Sequence, residues 1–443
     1  MKVLLLNPPG DKKYLRDFLC STVSKTGYYW HPIDLLVQSG FLSKKFDVRI
    51  LDAIAEHMSF DRVLETIISI KPDIVFSLIG VLSLDQDMAF MKHINQALPD
   101  MKIFVSGEPV LEEPEAFMKM YDFITGGMFG FIYDDISAYV EERYNNIKGM
   151  IYRKDNEIIM KSTTAEKGPL KFPIPKHELF PLKRYWMPFI LHHPFASILT
   201  VYGCPYTCSY CNSGMDTLGL KVRDIGDVIE EIKYVTKLGI KHIFIKDMTF
   251  GVPRKHTMDL CNEIIHQDIK ITWNCYSRAD VVDEELLRLM KDAGCTMIQF
   301  GVESANESIL SRYKKGISID AIVKAFEMVH KFNILAGAHF IFGLPGDSFK
   351  NMEATVALAK KLNPAYASFN VATPRYGTLL RSKLIHERNT PVDVVNTLVR
   401  KANKDFYLRP SYIFHLLNQI KTVDQFKSVA REGVGIIRTL EES

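Results

Sequence analysis

The chain has 443 residues, a length typical of about three domains, which excludes a small disulfide-stapled module. Lys and Arg number 55 and Asp and Glu number 52, so the formal charge of +3 indicates neither a nucleic-acid-binding protein nor an acidic tail. Hydrophobic residues make up 47% and charged residues 24%, which is typical of a folded globular protein. The seven cysteines are few and odd in number, which argues against a secreted disulfide scaffold and for a reducing compartment.

The N-terminus, MKVLLLNPPG, combines one lysine with a short apolar run and no small-residue cleavage site. This pattern predicts a first β-strand and not a signal peptide. The longest uncharged apolar stretch, Ile74 to Leu84, is far shorter than the roughly 20 residues that span a bilayer. We therefore expect a cytoplasmic protein without a transmembrane segment.

Residues 1–145 alternate short apolar runs with helical patterns, which predicts a doubly wound parallel sheet of Rossmann or flavodoxin type. The predicted strands are VLLLN, DVRILDA, DIVFSLIG, KIFVSG and DFITGG. Ligands of such sheets bind beyond the carboxyl ends of the strands. No GxGxxG motif opens the first helix, so a nicotinamide dinucleotide is disfavoured.

Residues 146–194 predict a connector, with a possible hairpin across Asp155 and Asn156 and several prolines after it. Strand and helix alternate again over residues 195–382, in six longer units. This pattern predicts a partial (β/α)6 TIM-like barrel whose functional end lies at the strand C-termini. Residues 383–443 predict a small helical C-terminal region.

Three of the seven cysteines fall within eight residues, in a C-x3-C-x2-C motif formed by Cys204, Cys208 and Cys211 directly after a predicted barrel strand. Three thiolates on one loop favour a soft metal. Structural zinc requires four protein ligands, and no fourth cysteine or nearby histidine completes such a set. A [4Fe-4S] cluster held by three thiolates keeps one iron open. The alternative is three loop cysteines without a metal.

The motif, its position and the aromatic Tyr210 before the third cysteine resemble the radical S-adenosylmethionine (SAM) superfamily. The resemblance implies that Cys204, Cys208 and Cys211 hold the cluster, that SAM chelates the open iron, and that Tyr210 packs near its adenine. Four further segments agree with this family in order and spacing: FGVES at 300–304, KKG at 314–316, GLPGD at 343–347 and PRYGT at 374–378. One departure is Asp347, where the family usually has Glu.

Strand alternation predicts which side chains face the barrel interior. On the third and fourth strands these are Asn274, Tyr276, Arg278, Gln299 and Glu303. The family resemblance implies that Arg278 and Glu303 contact SAM, with Lys246 and Asp247 near its amino group. The alternative is a salt bridge between Arg278 and Glu303, since buried charges require partners.

The fifth and sixth strands place His339 and Asn370 inward, where they are candidate substrate contacts or acid–base groups. The alternative for His339 is a hydrogen-bonded core role. Cys275 is predicted to face the helices as a packing thiol. Cys20, Cys261 and Cys295 are expected to be isolated packing residues, because free cysteine is among the most buried residue types.

The doubly wound domain before the barrel resembles, more narrowly, the cobalamin-binding branch of this family. The candidate cobalamin contacts are the small and polar residues at the predicted strand ends: Asn7, Pro8, Ser77, Gly80, Ser106, Gly107, Gly126 and Gly127. The Asp-x-His-x-x-Gly motif that supplies a histidine to cobalt elsewhere is absent, since Ala53 and Ile54 follow Asp52 and His57 is out of register. The Gly-Glu-Gly-Glu-like turn common in this branch is replaced by residues 126–130, GGMFG.

Two features of the first loop have a functional and a structural interpretation. Lys12, Lys13 and Arg16 could meet a phosphate or an acidic partner, but a solvated loop is the simpler expectation. The aromatic run at 28–30, YYW, could cover a cofactor or a lipid-like substrate, or it could simply pack within the domain.

The resemblance implies an oxygen-sensitive enzyme that cleaves SAM reductively to a 5′-deoxyadenosyl radical and methylates an unactivated carbon from methylcobalamin. The protein's part in such chemistry is to bind, orient and shield the cofactors. The first alternative is a radical SAM cyclase, coupling enzyme or lyase without methyl transfer; the second is a non-catalytic iron–sulfur protein. A one-electron reductant such as flavodoxin or ferredoxin is the expected partner, and nucleic acid is not. The substrate remains open among lipids, peptides, tetrapyrroles and natural-product precursors.

Overall fold

The computed structural model describes the chain except for residues 19, 25–26, 163–168, 213–218, 376–377, 388–389, 421–425, 428, 432 and 435–443. The chain forms two compact units. The first unit contains Met1–Met187 and Asp216–Leu238, and the second contains Pro188–Met215 and Gly239–Ser443. The first unit is therefore discontinuous in sequence.

The strands follow one another along the chain as β1 (Lys2–Asn7), β2 (Tyr14–Asp17), β3 (Cys20–Val23), β4 (Asp47–Asp52), β5 (Ile74–Leu78), β6 (Lys102–Ser106), β7 (Gly126–Met128), β8 (Gly149–Lys154), β9 (Glu157–Ser162), β10 (Ala196–Ile198), β11 (Val201–Tyr202), β12 (Lys221–Val222), β13 (His242–Ile245), β14 (Thr272–Ser277), β15 (Cys295–Glu303), β16 (Leu335–Phe342) and β17 (Tyr366–Val371).

The α-helices are α1 (Ile33–Leu42), α2 (Phe60–Ile70), α3 (Leu84–Ala97), α4 (Glu108–Glu112), α5 (Pro114–Met120), α6 (Asp135–Val140), α7 (Ile225–Lys237), α8 (Arg254–His266), α9 (Glu284–Asp292), α10 (Glu307–Arg312), α11 (Ile319–Lys331), α12 (Phe349–Leu362), α13 (Leu379–His386), α14 (Val392–Tyr407) and α15 (Pro410–Gln419). Among the described helices, none combines the length and the apolar composition that a membrane span requires.

The sheet of the first unit has the strand order β4-β1-β5-β6-β7-β8-β9. Neighbours from β4 to β7 are parallel, and β8 and β9 continue the sheet in antiparallel fashion. Strands β1, β5 and β6 are buried along nearly their whole length, as expected for a parallel sheet covered on both faces. The order of the parallel strands is flavodoxin-like, and it reverses between β1 and β5, where ligands of such sheets bind.

The predicted hairpin across Asp155 and Asn156 is confirmed as the β8–β9 turn. Both turn residues have positive φ angles, of 49° and 67°. Two-residue hairpin loops favour this conformation, and Asp and Asn tolerate it better than most residues.

The second unit contains a six-stranded sheet with the order β10-β13-β14-β15-β16-β17, in which the assigned neighbouring pairs are parallel. Consecutive parallel strands joined by helices are the arrangement that the sequence predicts for residues 195–382. Helices α14 and α15 follow this sheet, which confirms the helical C-terminal region.

The two faces of this sheet differ in character. One face carries fully buried apolar side chains, including Ile245, Ile298, Phe300, Phe340 and Phe369. The opposite face carries partly exposed residues, among them Tyr276, Gly301, His339, Ser368 and Asn370. The polar and partly open face is therefore the one on which the sequence predicts ligand contacts.

Candidate functional site

The cysteine motif forms a loop that begins directly after β11. Gly203, with a φ of 83°, turns the chain into the loop in a conformation that suits glycine. All three motif cysteines are partly exposed. The Sγ atom of Cys204 lies 3.5 Å from the Thr249 hydroxyl, and an Arg278 N–H group donates to the Cys208 Sγ over 3.7 Å.

The three thiols form a donor set that suits an iron–sulfur cluster. In the part of the chain that the structure describes, no group of three His, Cys, Asp or Glu side chains is arranged to hold one ion. Three cysteines that bind a [4Fe-4S] cube each contact a different iron, so their sulfurs surround the cube and do not converge on one point. Thiolates are also ligands that iron–sulfur clusters favour.

Tyr313 joins the cysteine loop to two of the other segments that the sequence singles out. Its carbonyl accepts a hydrogen bond from Ser209 N over 3.0 Å, and its hydroxyl donates to the Pro345 carbonyl over 2.7 Å. Its ring packs with Leu344 and Leu380, and Tyr210 packs against the same cluster. Tyr313 immediately precedes the KKG segment, and Pro345 lies within GLPGD, so sequence-distant motifs meet around one side chain.

The PRYGT segment reaches the same region through the helix that follows it. Leu380 N, in the first turn of α13, donates to the Ser209 carbonyl over 3.1 Å. Tyr376 and Gly377 of this segment lie outside the described residues.

Arg278 lies just past β14 and contacts three separate segments. It donates to both carboxylate oxygens of Asp280, at 2.9 and 2.7 Å, and to the Lys315 carbonyl at 2.7 Å. Its guanidinium also stacks over the ring of Tyr206, 3.8 Å from the centroid, within the cysteine loop. The structure thus places Arg278 against the cysteine loop, with a side chain that is almost fully buried.

Glu303 pairs with Lys315 and not with Arg278, so the alternative of an Arg278–Glu303 salt bridge is wrong. The Lys315 Nζ to Glu303 Oε1 distance is 3.0 Å, and both side chains are largely buried. Gly301 creates the space for this pair, since a Cβ atom at that position would overlap Glu303 Oε1 and lie 2.9 Å from Lys315 Nζ. Glu303 itself has a φ of 68°, which is unusual for a residue with a side chain.

Tyr210 is partly buried, and its hydroxyl oxygen is inaccessible to solvent. Burial raises the pKa of its hydroxyl well above the ordinary value, and the charges of Glu303 and the neighbouring cysteines act in the same direction. Tyr210 therefore stays neutral, within the cysteine loop and close enough to Glu303 for its charge to act on it.

Asp247 organises backbone near the start of the cysteine loop. Its Oδ1 atom accepts from Thr200 N and Val201 N over 2.7 and 2.9 Å, and its other oxygen accepts from the Thr200 hydroxyl. The carboxylate is buried and fixes the strand that leads to Cys204. Lys246 is partly exposed, with its ammonium 5.3 Å from the centroid of the Phe244 ring.

His339 and Asn370 both lie on the partly open face of the sheet. A ring nitrogen of His339 is 3.1 Å from Gln299 Oε1, and the ring lies edge-on between Tyr276 and Tyr366. The Asn370 amide donates to the Ser368 hydroxyl over 2.9 Å and to the Phe340 carbonyl over 3.2 Å. The face therefore offers hydrogen-bonding groups together with aromatic edges.

Sequence reasoning missed the roles of several contacts in this region. Lys315 belongs to a motif that the sequence singled out, but no pattern indicates that it pairs with Glu303. Thr249 and Asp280 carry no motif at all, and only the fold brings Thr249 to Cys204 and Asp280 to Arg278.

The other described cysteines pack as expected but are not isolated from one another. Cys261, Cys275 and Cys295 are all fully buried. Burial raises the pKa of Cys275 well above the ordinary value, with further contributions from the neighbouring Cys295 and Cys261. Residues from α8, β14 and β15 thus form one thiol cluster. The side chain of Cys20 lies outside the described residues.

Arg16, expected in a solvated loop, is instead completely buried at the strand ends of the first unit. Its guanidinium pairs with Asp87 at 2.8 Å and donates to the Pro8 carbonyl at 2.9 Å and to Asn7 Oδ1 at 3.0 Å. The β2–β3 hairpin that carries Arg16 therefore covers the end of β1, and Asn7 and Pro8 are bonded within the protein.

The remaining candidate cobalamin contacts lie at neighbouring strand ends. Ser77 and Ser106 are buried, and the Ser106 hydroxyl donates to Asp34 over 3.1 Å. Gly80 N donates to Asp87 over 2.9 Å. Gly107 permits close packing of two strand ends, since a Cβ there would overlap the Ile79 carbonyl oxygen.

Gly126 and Gly127 form most of the short strand β7, where a Cβ on Gly127 would lie 2.6 Å from Val110.

Asp52 occupies the position where the absent histidine motif would begin. Burial raises the pKa of its carboxyl to about 6, although hydrogen bonds from Ala55, Tyr185, Tyr29 and Asn7 oppose this shift. These partners surround the carboxylate, and Tyr29 is buried beside it. Asp52 thus acts as a packing centre, and at least the Tyr29 portion of the aromatic run has a structural role.

Comparison with known proteins places the chain in a family. A family model described as the radical SAM superfamily matches residues 198–359, and one described as a B12 binding domain matches residues 20–128. An uncharacterized methyltransferase of Pyrococcus horikoshii is 30% identical over 449 residues, covering 93% of this chain and 94% of that protein. The chain belongs to the B12-binding branch of the radical SAM superfamily.

Two more distant proteins resemble this radical SAM chain over much of its length. An anaerobic magnesium-protoporphyrin IX monomethyl ester cyclase of Rubrivivax gelatinosus is 25% identical, covering 78% of this chain and 64% of that protein. The solved structure of the radical SAM methyltransferase TsrM from Kitasatospora setae, with cobalamin and a [4Fe-4S] cluster, is 18% identical with a TM-score of 0.66, covering 86% of this chain and 74% of that chain. These findings confirm the predicted family and α/β fold.

The two family models imply a [4Fe-4S] cluster, SAM and cobalamin as the cofactors of this radical SAM protein. The cysteine loop fits the cluster through its donor set. In the first unit the Asp-x-His-x-x-Gly motif would supply no histidine, because Ala53 and Ile54 follow Asp52, and the Asp52 carboxylate is bonded within the protein.

Proposed function

We propose that the chain is a cobalamin-dependent radical SAM methyltransferase that methylates an unactivated carbon. The observation that carries this proposal is the partly exposed three-thiol loop in a chain that also matches a B12 binding domain. Similarity to a methyltransferase along almost the whole length of both proteins supports it. When bound, the cluster and SAM supply hydrogen abstraction, and cobalamin supplies the methyl group.

Residues of the second unit would bind the cluster and orient the loop that carries its ligands. Cys204, Cys208 and Cys211 would hold the cluster. Arg278 would keep the loop in place through its contacts with Tyr206 and Asp280. Low solvent access around such a site limits side reactions.

SAM would be held by Tyr210, Lys246, Asp247, Arg278 and Glu303. The buried carboxylate of Glu303 suits a cationic group, and Lys315 balances its charge. Asp247 would contribute by fixing the backbone next to Cys204 as well as by its charge.

The partly open face of the sheet would receive the substrate, with His339 and Asn370 as contacts. Because this face combines amide, hydroxyl and imidazole groups with tyrosine edges, it suits a substrate with hydrogen-bonding groups near the methylated carbon. A one-electron donor such as flavodoxin or ferredoxin would supply the electrons. In the first unit, the cobalamin contacts would come from Ser106, Gly107 and the other strand-end residues.

An anaerobic assay without the methyl acceptor tests this proposal. The reconstituted protein, supplied with reduced cobalamin and SAM, is expected to form S-adenosylhomocysteine as cobalt is methylated. With a one-electron reductant it is expected to form 5′-deoxyadenosine. Cys208→Ala should abolish 5′-deoxyadenosine formation, whereas Cys261→Ala, at a packing cysteine, should retain it. Formation of 5′-deoxyadenosine without cobalamin binding or S-adenosylhomocysteine would instead identify a radical SAM enzyme without methyl transfer.

A further inference from the structure

A hydroxyl group lies next to one of the motif thiols, on a loop that the fold holds firmly. Thr249 is largely buried, and its Oγ1 atom is 3.5 Å from Cys204 Sγ. It belongs to the turn between β13 and α8. Phe250 N donates to the Tyr276 carbonyl over 2.8 Å, and the Phe250 carbonyl accepts from the Ser277 hydroxyl over 2.7 Å. These two bonds fix the backbone directly after Thr249.

The same turn is also fixed on its other side. Asp247, two residues before Thr249, accepts hydrogen bonds from Thr200 and Val201, which lie just before the cysteine loop. The position of the Thr249 hydroxyl relative to Cys204 is therefore set from both sides by buried hydrogen bonds and does not depend on a flexible surface loop.

Ligand chemistry decides the direction of this hydrogen bond. A free cysteine thiol could donate to the threonine hydroxyl or accept from it. A thiolate bound to iron carries no proton, so Thr249 must then be the donor. Hydrogen bonds to the sulfurs are among the features that set the reduction potential of an iron–sulfur cluster.

We propose that Thr249 is a positioning residue that raises the reduction potential of the cluster by donating a hydrogen bond to the Cys204 thiolate. This inference rests on the proposed role of Cys204 as a cluster ligand. Reduction adds one negative charge to the cluster and its thiolates, and a donor stabilises the more negative state. Loss of the donor therefore lowers the potential and makes the cluster harder to reduce.

A substitution at Thr249 tests the effect of a hydrogen bond on the reduction potential more directly than a substitution at Arg278 would. Arg278 also donates to a motif thiol, Cys208, but its charge is opposed by Asp280 and its side chain holds the loop through Tyr206 and the Lys315 carbonyl. A substitution at Arg278 would change loop position and charge together. Replacement of Thr249 by valine removes the hydroxyl and keeps the branched shape.

The test is an anaerobic redox titration of the full-length reconstituted protein, followed by electron paramagnetic resonance of the reduced cluster. Thr249→Val should retain the iron and sulfide content of the wild type but show a more negative midpoint potential. Thr249→Ser, which keeps a hydroxyl, should return the potential towards the wild-type value. Thr257→Val, which removes a buried hydroxyl in α8 that bonds to the Pro253 carbonyl, should leave it unchanged.

The outcomes separate this inference from the proposed function. A wild-type protein that holds no cluster would overturn both. A fully loaded Thr249→Val protein with the wild-type midpoint potential would overturn the inference alone and leave the cluster assignment intact. If the valine variant loads poorly, Thr249→Ala, which removes the hydroxyl and leaves more room, must show the same negative shift in its loaded fraction.

Discussion

The side chains around Glu303 show how a small residue can determine the geometry of a charged site. Gly301 lies on the partly open face of β15, and the Glu303–Lys315 pair fills the space where its side chain would be. Burying such a pair is costly unless the two groups meet closely. The requirement for glycine at 301 is therefore steric, since the residue is not among those with a positive φ angle.

Gly301→Ala should displace the Glu303 carboxylate from Lys315. We expect weaker SAM binding and a loss in unfolding free energy at the low end of the roughly 1–3 kcal/mol of overpacked sites, because the displaced atoms are the ends of flexible side chains. Chemical denaturation and equilibrium dialysis with SAM would measure the two effects. Gly149→Ala is a suitable control because its new Cβ would lie 3.6 Å from its nearest neighbour, an ordinary contact. Unchanged stability and SAM affinity in the alanine variant at 301 would contradict this account.

His242 makes stability depend on pH. It is fully buried, with its ring nitrogens near Thr272 Oγ1 and Asn274 Oδ1, and burial lowers its pKa to about 3. Between the unfolded value of about 6.5 and this folded value, the unfolded chain binds a proton that the folded chain does not. The contribution of His242 is therefore fully present above pH 6.5 and is lost as the pH falls towards 3.

His242→Gln should reduce the dependence of stability on pH in this window. The slope of the unfolding free energy against pH should fall by up to about 1.4 kcal/mol per pH unit, which is the contribution of one proton taken up on unfolding. Denaturant unfolding of the cluster-free protein at several pH values between 7 and 4 would measure it. An equal slope in wild type and variant would show that His242 does not titrate on unfolding. The exposed His266 provides the control, and His266→Gln should leave the slope unchanged.

At the scale of elements, a buried charged cluster holds helix α7 in place within the first unit. Glu231 accepts from Arg223 over 2.6 Å and lies 2.9 Å from a ring nitrogen of His177, and all three side chains are almost inaccessible. Burial alone would raise the pKa of Glu231, but Arg223 and His177 outweigh it and lower the pKa. The carboxylate is thus stabilised in its charged form, which fixes the helix to the preceding 3-10 turn at His177–Leu179.

Glu231→Gln should destabilise the first unit by about 3–5 kcal/mol, because it leaves Arg223 buried without its counter-charge. Thermal or urea unfolding followed by circular dichroism would detect this loss. The adjacent Glu230 lies on the same helix and pairs with Lys233 at the exposed surface. Glu230→Gln should therefore change stability by less than about 1 kcal/mol. Similar effects of the two substitutions would exclude a special role for the buried cluster.

Element order and family were predictable from the sequence, whereas the contacts that build the site were not. Parallel strands produce long buried apolar runs such as VLLLN and IVFSL, and the C-x3-C-x2-C spacing is chemically specific. Arg16 illustrates the limit: a basic residue in a Lys-rich loop predicts exposure, yet Asp87, 71 residues away, makes its burial possible. Glu303 likewise pairs with Lys315 and not with Arg278, at a point where the pairing of β15 with β16 shifts register, and no sequence pattern indicates that shift.

At the scale of the whole molecule, the two units are not consecutive segments of the chain. Residues up to Met187 need the later segment Asp216–Leu238 to complete the first unit. Leu170 N, for example, donates to the Val222 carbonyl over 2.7 Å, and Arg223 stacks over Phe172. The conventional division into an N-terminal cofactor domain followed by a barrel therefore omits part of the first unit.

A fragment that ends at Met187 should consequently be less stable than the same unit in the full chain. A synthetic peptide of residues 219–238 should bind this fragment and raise its melting temperature, since it restores the partners of His177 and Leu170. The same peptide with Glu231 replaced by glutamine should have a weaker effect. No shift with either peptide would show that residues 1–187 are self-sufficient.

The contacts around Tyr313 have a consequence for how the protein matures. The cysteine loop is held by Tyr313 and Leu380, which a ribosome would synthesise more than 100 and 170 residues after Ser209, respectively. A nascent chain that already displays its three thiols thus lacks the groups that shape their loop. The cysteine loop can therefore take up all of these contacts only after Leu380 has been synthesised.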